Sequence, residues 1–160
     1  MVEERAKAYA ESNTLEIRRQ LGFGIHGRVY AASSTNYSYF SAIKAFEDSD
    51  PFERELAVYR RLNEQMISEI KGFQVPKLLG YDRKLEVIEI SLVERPFCLD
   101  FASAYLDELP SYFPPFDENW HREKEDQFGA EKWPEVLAVL AELESLGIFQ
   151  TDVSPSNIAL

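Results

Sequence analysis

The sequence contains a single cysteine, few basic residues and no long apolar run. Because Cys98 has no second cysteine to join, the chain cannot form an internal disulfide or a thiolate metal cluster alone, and a reducing, cytoplasmic setting is expected. Its 17 basic residues are outnumbered by 28 acidic ones, and the formal net charge is -11. Such a surface repels nucleic-acid phosphates and anionic membranes. No segment approaches the roughly 20 apolar residues of a membrane helix, so we expect neither a nucleic-acid nor a membrane partner.

The composition nevertheless provides enough apolar material for a folded core. Hydrophobic residues make up 45% of the 160 residues, aromatic residues 13% and charged residues 28%, which is the balance of an ordered globular protein. A chain of this length fits one domain, or two small lobes that share an interface. Since the chain is so acidic, any polyanionic ligand must be bound locally, by backbone amides, a lysine or metal ions.

Three glycines near the N-terminus have the spacing of a phosphate-binding loop. Gly22, Gly24 and Gly27 form the pattern G-x-G-x-x-G, and Val29 follows after one intervening residue. This pattern occurs in dinucleotide-binding folds, where a strand runs directly into a helix, and in protein kinases. Residues 28–46 instead contain two β-type segments around a polar turn, which predicts a β-hairpin. In a hairpin the glycines would let the backbone approach phosphates, and Val29 would contact an adenine ring.

Two side chains are expected at or beside the tip of this loop. Phe23 is included with the candidate cofactor-binding residues because it lies between the first two glycines. His26 lies just before the third glycine, and no neighbouring residue would orient its imidazole as a catalytic base requires. We therefore interpret His26 as an exposed loop residue.

The second strand of the hairpin ends in the sequence Ala42-Ile43-Lys44. A lysine at an inward-facing strand position is unusual unless its ammonium group meets an anion. The alternative is a surface lysine whose aliphatic stem lies along the protein. Lys44 is thus a candidate phosphate-binding residue, and Ala42 would face the same site.

A helix follows, and it supplies a candidate partner for Lys44. Asp50 and Pro51 predict its start, as a cap and as a first-turn proline. Glu55 would pair with Lys44 and direct the ammonium group toward phosphates, and Glu53 competes for this role. The helix has apolar residues with helical spacing at Phe52, Leu56, Tyr59 and Leu62.

Two later segments, 75–81 and 85–93, have the composition of strands and complete a five-stranded sheet with one main helix. Residues 94–96 then break the strand pattern where a connector to a second lobe would lie. The backbone at Glu94 could hydrogen-bond an adenine edge, although a plain loop is the alternative interpretation.

The remaining chain predicts a mostly helical second part. Residues 100–109 are interpreted as a short helix, and 117–128 as an acidic helix anchored by Trp120. The aromatic segment 112–120 between them is a candidate contact surface for a protein partner or a second copy of the chain. A core helix is expected over 133–146, ended by Gly147, with one apolar face made of Val136, Leu137, Leu140 and Leu143.

An aspartate and an asparagine five residues apart follow this core helix. Asp152 could accept a proton from a nucleophilic hydroxyl group, while Asn157 offers an amide oxygen to a divalent metal.

Taken in order, the glycine pattern, Lys44, Glu55 and the Asp152 to Asn157 spacing resemble the protein kinase-like family, over residues 15–160. The resemblance implies an α+β fold with a five-stranded antiparallel N-lobe in 1–95 and a reduced, mostly helical C-lobe in 96–160. It implies ATP and Mg2+ or Mn2+ as cofactors, with the γ-phosphate transferred to a hydroxyl group of a protein or small molecule. The catalytic residues that it implies are Asp152, Lys44 and Glu55, with Asn157 as metal ligand. The cofactor-binding residues that it implies are Gly22, Phe23, Gly24, Gly27, Val29, Ala42, Lys44 and Glu94.

The sequence departs from the family pattern at three places. Gln150 and Thr151 precede Asp152, where the family has His-Arg or His-Gly, and Ser154 replaces a lysine or histidine that helps to neutralise the transferring phosphoryl group. No Asp-Phe-Gly motif follows before Leu160. Three interpretations follow: a minimal phosphotransferase, a pseudokinase that binds nucleotide or acts through a partner, or part of a longer kinase-like chain.

Overall fold

The computed structural model describes residues 1–24 and 26–160. In the first part of the chain the elements are α1 (Val2–Ser12), β1 (Leu15–Gly24), β2 (Gly27–Ser34), β3 (Phe40–Phe46), α2 (Ser49–Glu64), β4 (Glu69–Ile70), β5 (Phe73–Gln74), β6 (Leu78–Asp82) and β7 (Val87–Ser91). In the second part they are β8 (Cys98–Leu99), β9 (Ala104–Leu106), α3 (Glu118–Phe128), α4 (Trp133–Ser145), β10 (Ile148–Gln150) and β11 (Ile158–Ala159).

Five strands form one antiparallel sheet, in the order β1-β2-β3-β7-β6, which we call the main sheet. It confirms the predicted α+β class and the predicted five-stranded antiparallel sheet. The glycine pattern lies in the hairpin between β1 and β2, where Gly24 is paired with Gly27. The chain therefore continues from the glycines into a strand, and not into the helix that a dinucleotide-binding fold requires.

Helices cover both faces of the central strand β3, which explains its burial. Ile43 and Ala45 belong to a small core with α1 residues, whereas Ala42 and Phe46 belong to the larger core, which includes α2. Because successive side chains of a strand point to opposite faces, Lys44 shares the face of Ala42 and Phe46. The strand pattern thus directs this lysine into the protein.

The helix α2 begins two residues earlier than predicted, at Ser49 instead of Pro51. Its N-cap is Asp48, which has an extended backbone, and no side-chain hydrogen bond caps the helix. Asp50 therefore lies inside the first turn, where a carboxylate still interacts favourably with the helix dipole. The predicted apolar stripe is buried at all four positions, Phe52, Leu56, Tyr59 and Leu62.

The helix predicted for residues 100–109 is wrong. This segment instead contains β9, which pairs with β10. The backbone of Ser103 and of Asp107 has positive φ, at 62° and 65°, a conformation that cannot continue a right-handed helix. Pairing with a strand more than 40 positions later in the chain, for example Tyr105 with Phe149, overrides the local helical spacing. The predicted mostly helical second part therefore contains four short strands as well as α3 and α4 within the described residues.

The buried face of α4 is rotated from the predicted one. Val136, Val139 and Leu143 are buried, while Leu137 is 36% exposed. Val139 was not predicted as a core residue. The helix turns its 136, 139 and 143 positions toward the larger core, and Leu140 is partly buried against it. Leu137 and Leu140 also line a separate groove beside Phe116, Trp120, Phe149 and Val153.

In the aromatic segment 112–120, some rings pack against other rings of the chain and others are exposed to solvent. Trp120 packs against Trp133, with ring centroids 5.8 Å apart, and against Phe116 at 4.5 Å. Tyr112 in contrast is 76% exposed. That this segment contacts a partner or a second copy of the chain stays a prediction.

One hydrophobic core joins the two predicted lobes. The larger cluster includes Leu56 and Ile88 from residues 1–95 and Leu143 and Ile158 from residues 96–160. Among the described residues, none of the helices has the length and apolar character needed to cross a bilayer.

Gly27→Ala is expected to lower the free energy of unfolding by about 1–3 kcal/mol, the usual cost of overpacking. A Cβ at this position would lie 2.1 Å from the backbone oxygen of Ala45 on the paired strand. Gly24→Ala is the matched control, because its Cβ would meet no atom within 4 Å. Urea denaturation of both variants measures the difference, and equal midpoints would contradict this account of the hairpin.

Candidate functional site

A cavity of about 420 Å3 lies beneath the β1–β2 hairpin. Its walls come from the hairpin, the first turns of α2, the segment after β8 and the segment after β10. Nine of the residues singled out from the sequence line it, namely Gly22, Phe23, Gly24, Gly27, Val29, Lys44, Glu55, Asp152 and Asn157. His26 also lines it. Residues more than 130 positions apart in the chain therefore share one site.

Two predicted cofactor-binding residues do not line this cavity. Ala42 is buried in the larger core, and Glu94 lies in the connector outside the cavity wall. Further along the connector, Phe97 already donates its backbone N–H to the carbonyl of Ala159 at 2.7 Å, and its own carbonyl accepts from Gln74 at 2.7 Å. An adenine contact at the connector stays a prediction.

Lys44 is buried at the base of the cavity and forms ion pairs with two carboxylates. Its side chain is 9% exposed, and its ammonium group donates to Glu55. It also lies 3.1 Å and 3.2 Å from the two carboxylate oxygens of Asp100. The competing glutamate, Glu53, is instead paired at the surface with Arg83 at 2.9 Å. The geometry therefore favours Glu55 over Glu53 as the partner of Lys44.

Sequence reasoning missed Asp100. Its carboxylate accepts the backbone N–H of Ala102 at 2.9 Å, and its own N–H donates to the carbonyl of Asn157 at 2.8 Å. The turn made by Ala102 thus fixes the carboxylate, while the bond to Asn157 fixes the backbone. An acidic residue that directly follows a connector was the available signal, but the helical interpretation of residues 100–109 concealed it.

Gln150 occupies the position where the kinase-like pattern has histidine. It is buried, and its amide nitrogen lies within hydrogen-bonding distance of the carbonyls of Asp100 at 3.2 Å, Ala102 at 3.2 Å and Asp152 at 3.4 Å. The side chain therefore connects the two segments that carry the acidic residues of the cavity. Its role here is positional, since it is an amide that does not titrate.

The Lys44 cluster has one positive charge between two carboxyl groups. Burial by itself would lower the pKa of Lys44, but the carboxylates of Asp100 and Glu55 outweigh burial and hold it above its usual range. Burial opposes ionisation of Asp100 too, yet Lys44 and the Ala102 N–H bring its pKa below the usual value. Burial raises the pKa of Glu55 to about 7, and the negative charge of Asp100 adds to this while Lys44 opposes it. Of the two carboxyl groups beside Lys44, Glu55 is therefore the first to take up a proton as the pH falls.

Asp152 and Asn157, which also line the cavity, are joined by hydrogen bonds. The amide nitrogen of Asn157 donates to the backbone carbonyl of Asp152 at 2.9 Å and to its carboxylate at 2.8 Å. These bonds use both amide hydrogens, so the amide oxygen of Asn157 is left for another ligand. Asn157 is buried, whereas Asp152 is exposed to the cavity and the solvent.

The oxygen atoms around the cavity fit a hard divalent cation. Asp100, Asp152 and Asn157, whose side chains carry oxygen atoms, line the same cavity, and Mg2+ prefers oxygen ligands. No group of three or more His, Cys, Asp or Glu residues is arranged as a metal site in residues 1–24 and 26–160. These residues fit a Mg2+ ion that keeps most of its shell for water and ligand phosphates, as this ion commonly does.

The first two glycines leave open space above the hairpin backbone. A Cβ built on Gly22 or Gly24 would meet no heavy atom within 4 Å, so internal packing does not require glycine at either position. Gly27 differs, because its Cβ would collide with β3. Open backbone at Gly22 and Gly24 is what the close approach of a phosphate group requires.

Comparisons with known proteins give little independent information. No protein-family model matches the sequence, and no curated protein matches it. A solved structure of a variant of the PknI kinase domain from Mycobacterium tuberculosis is similar, with a TM-score of 0.41 and 16% sequence identity. The match covers 83% of this chain and 48% of that domain, so the chain spans about half the length of the domain. A likeness at this level does not establish a family.

Glu55→Gln is expected to change how stability depends on pH. Because the folded state raises the pKa of Glu55 from 4.5 to about 7, it binds this proton more tightly than the unfolded state does. The contribution to stability is therefore complete below pH 4.5 and is lost as the pH rises through about 7. Denaturation curves across this range should show wild type losing free energy of unfolding relative to Glu55→Gln.

Two further variants test the cause of that pH dependence. Asp100→Asn removes a negative charge next to Glu55 and should move the loss of stability to lower pH. Glu53→Gln, at a surface ion pair, should retain the wild-type profile. If the free energy of unfolding of Glu55→Gln changes with pH as steeply as that of wild type, the raised pKa of Glu55 is wrong.

Proposed function

We propose that this chain binds ATP together with Mg2+ or Mn2+ in the cavity beneath the β1–β2 hairpin. One observation carries the proposal: the ammonium group of Lys44 is buried at the base of this cavity, below the open backbone of Gly22 and Gly24. Asp152 and Asn157 line the same cavity. A fixed cation, glycine backbone without side-chain obstruction and oxygen ligands are groups that suit a polyphosphate and its metal.

The charge of the cavity supports an anionic ligand. The chain has a net charge of -11, yet four cationic side chains line this cavity in the described residues, against three carboxylates. The cations are Arg28, Lys44, Arg54 and Arg95, and the carboxylates are Glu55, Asp100 and Asp152. The acidic surface would repel a polyphosphate elsewhere. The volume of about 420 Å3 also lies within the usual range of small-molecule sites.

Each side chain has a role that follows from its position. Lys44 is held in its charged form by two carboxylates and would neutralise phosphate oxygens. Asp152 is exposed and hydrogen-bonded by Asn157, so its carboxylate is oriented to accept a proton from a substrate hydroxyl group. When bound, Mg2+ would neutralise phosphate charge next to Asn157 and the neighbouring carboxylates.

The second candidate function is a nucleotide-binding module without phosphoryl transfer. It is favoured by the pairing of Lys44 with Asp100 as well as Glu55, because the lysine charge is already matched before any phosphate arrives. Ser154 also leaves no cation beside Asp152 at the position that the kinase-like pattern provides. Loss of one charge-stabilising group typically costs a factor of about 100–1,000 in rate.

Nucleotide binding is tested by calorimetric titration with ATP, with and without Mg2+. Wild type should bind, and ATP at about 100 times its Kd should add roughly 2.7 kcal/mol to the free energy of unfolding. Lys44→Gln should weaken binding at least about tenfold, because it removes the buried cation. Lys84→Gln is the control, since Lys84 lies at an exposed turn outside the cavity. Absence of any heat or stabilisation with wild type would refute the proposal.

Phosphoryl transfer is tested separately with ATP labelled at the γ-phosphate. Labelled phosphate, free or attached to protein, should appear with wild type and fall about 100-fold or more in Asp152→Ala, because the proton acceptor is gone. Asp126→Ala, at an exposed site on α3, should behave as wild type. Equal signals in wild type and Asp152→Ala would exclude a role for Asp152. ATP binding without any transfer would select the binding-module alternative.

A further inference from the structure

We propose that Arg54 is an anion-binding residue of the cavity and holds a phosphate group of the ligand from the α2 side. The inference rests on the proposed function and deepens it, because it assigns a second cation to the same polyphosphate. Arg54 directly precedes Glu55 in α2 and lines the cavity. Nothing in the sequence pattern singled it out.

The guanidinium group of Arg54 has an unused buried donor. Its Nε atom is inaccessible to solvent and has no hydrogen-bond partner within residues 1–24 and 26–160. A buried N–H without an acceptor is energetically unfavourable, and native proteins rarely retain one. The two terminal nitrogens of Arg54 also have no partner within these residues, but they are not buried in the same way, so a ligand oxygen in the cavity can accept from them.

The other cations of the cavity already have oxygen partners. Lys44 is paired with two carboxylates, Arg28 lies 4.0 Å from the carboxylate of Glu3, and Arg95 donates to two backbone carbonyls, at 2.8 Å and 3.4 Å. Within the described residues, Arg54 is thus the lining cation whose charge no carboxylate or carbonyl offsets. It is therefore the cation with most to gain from an incoming anion.

An aromatic ring holds this guanidinium group in place without using its N–H donors. The guanidinium carbon lies 4.8 Å from the centroid of the Tyr105 ring, within the range of a cation–π contact. Tyr105 is itself supported by the aromatic segment, since its hydroxyl lies 3.3 Å from that of Tyr112 and its ring packs against Phe113 at 5.5 Å. The planar group is oriented in advance, which suits two-point binding of a phosphate.

Arg54 also supplies a positive charge to the cavity, where the sequence lacks the cation that the kinase-like pattern has at position 154. Ser154 provides no cation on the Asp152 side of the cavity. Arg54 brings a permanent positive charge into the same cavity from α2. A phosphate between Lys44 and Arg54 would then be neutralised from two sides, although the usual cation beside the catalytic aspartate is missing.

The experiment measures binding of ATP, ADP and inorganic tripolyphosphate to the whole chain by calorimetry. Arg54→Gln should reduce the affinity for ATP and for tripolyphosphate by about tenfold or more, which is the effect of losing one charged hydrogen bond. Arg54→Lys, which keeps the charge but not the planar fork, should lose less affinity. Arg60→Gln is the control on the same helix, because Arg60 is exposed, lies outside the cavity and is paired with Glu64 at 3.7 Å. Circular dichroism verifies that each variant is folded.

The outcomes separate this inference from the proposed function. If ATP binds equally to wild type and Arg54→Gln, the inference is overturned while the proposed function stands. If tripolyphosphate binds in an Arg54-dependent way and ATP does not bind, Arg54 is an anion site and the nucleotide proposal fails. If wild type binds neither ATP nor tripolyphosphate, both the inference about Arg54 and the proposed function are overturned. Should Arg54→Gln fail to fold, Tyr105→Leu decides instead: weaker binding than in Tyr105→Phe supports the inference, and equal binding overturns it.

Discussion

The buried ammonium group of Lys44 is the constraint on which the rest of the structure depends. Moving a charge out of water is costly unless it is paired and hydrogen-bonded, so this lysine requires partners that remain fixed. It obtains one from α2, through Glu55, and one from the segment after β8, through Asp100. The charge thereby couples the main sheet, the helix and the second part of the chain at one point.

Hydrogen bonds extend this coupling across the cavity. Asp100 is joined through its backbone to Asn157, and Asn157 is joined through its amide to Asp152. The side chain of Gln150 also links the segments that carry Asp100 and Asp152. A movement of Asp152 would therefore be transmitted to the partner of Lys44 through two short chains of bonds. Such fixed polar groups are the preorganisation that electrostatic catalysis and phosphate binding both require.

The same arrangement would allow an acidic chain to bind the proposed anionic ligand. In the described part of the chain, four cationic side chains and the glycine backbone line one cavity, which only three of the 28 acidic residues line. Two carboxylates accompany Lys44, so an incoming phosphate must share this lysine with Asp100 and Glu55. Proton uptake by Glu55, whose pKa is raised to about 7 by burial and by Asp100, would relieve part of that competition. Arg54 meets no such competition, which is why its free donor matters for the proposed ligand.

The sequence by itself determined the elements whose residues are close in the chain. Two segments of β-type composition around a polar turn predicted the hairpin, and helical spacing predicted α2 and its buried stripe. Because Lys44 and Glu55 are on adjacent elements, their pairing could also be inferred. Tertiary structure alone decided the position of Asp100, the strand β9 and the rotation of α4, since each depends on partners about 40 or more residues away. It likewise placed Ala42 and Glu94 outside the cavity lining and Arg54 within it. No local sequence pattern specifies which distant oxygen pairs with a buried charge, because this pairing depends on how the chain packs in three dimensions.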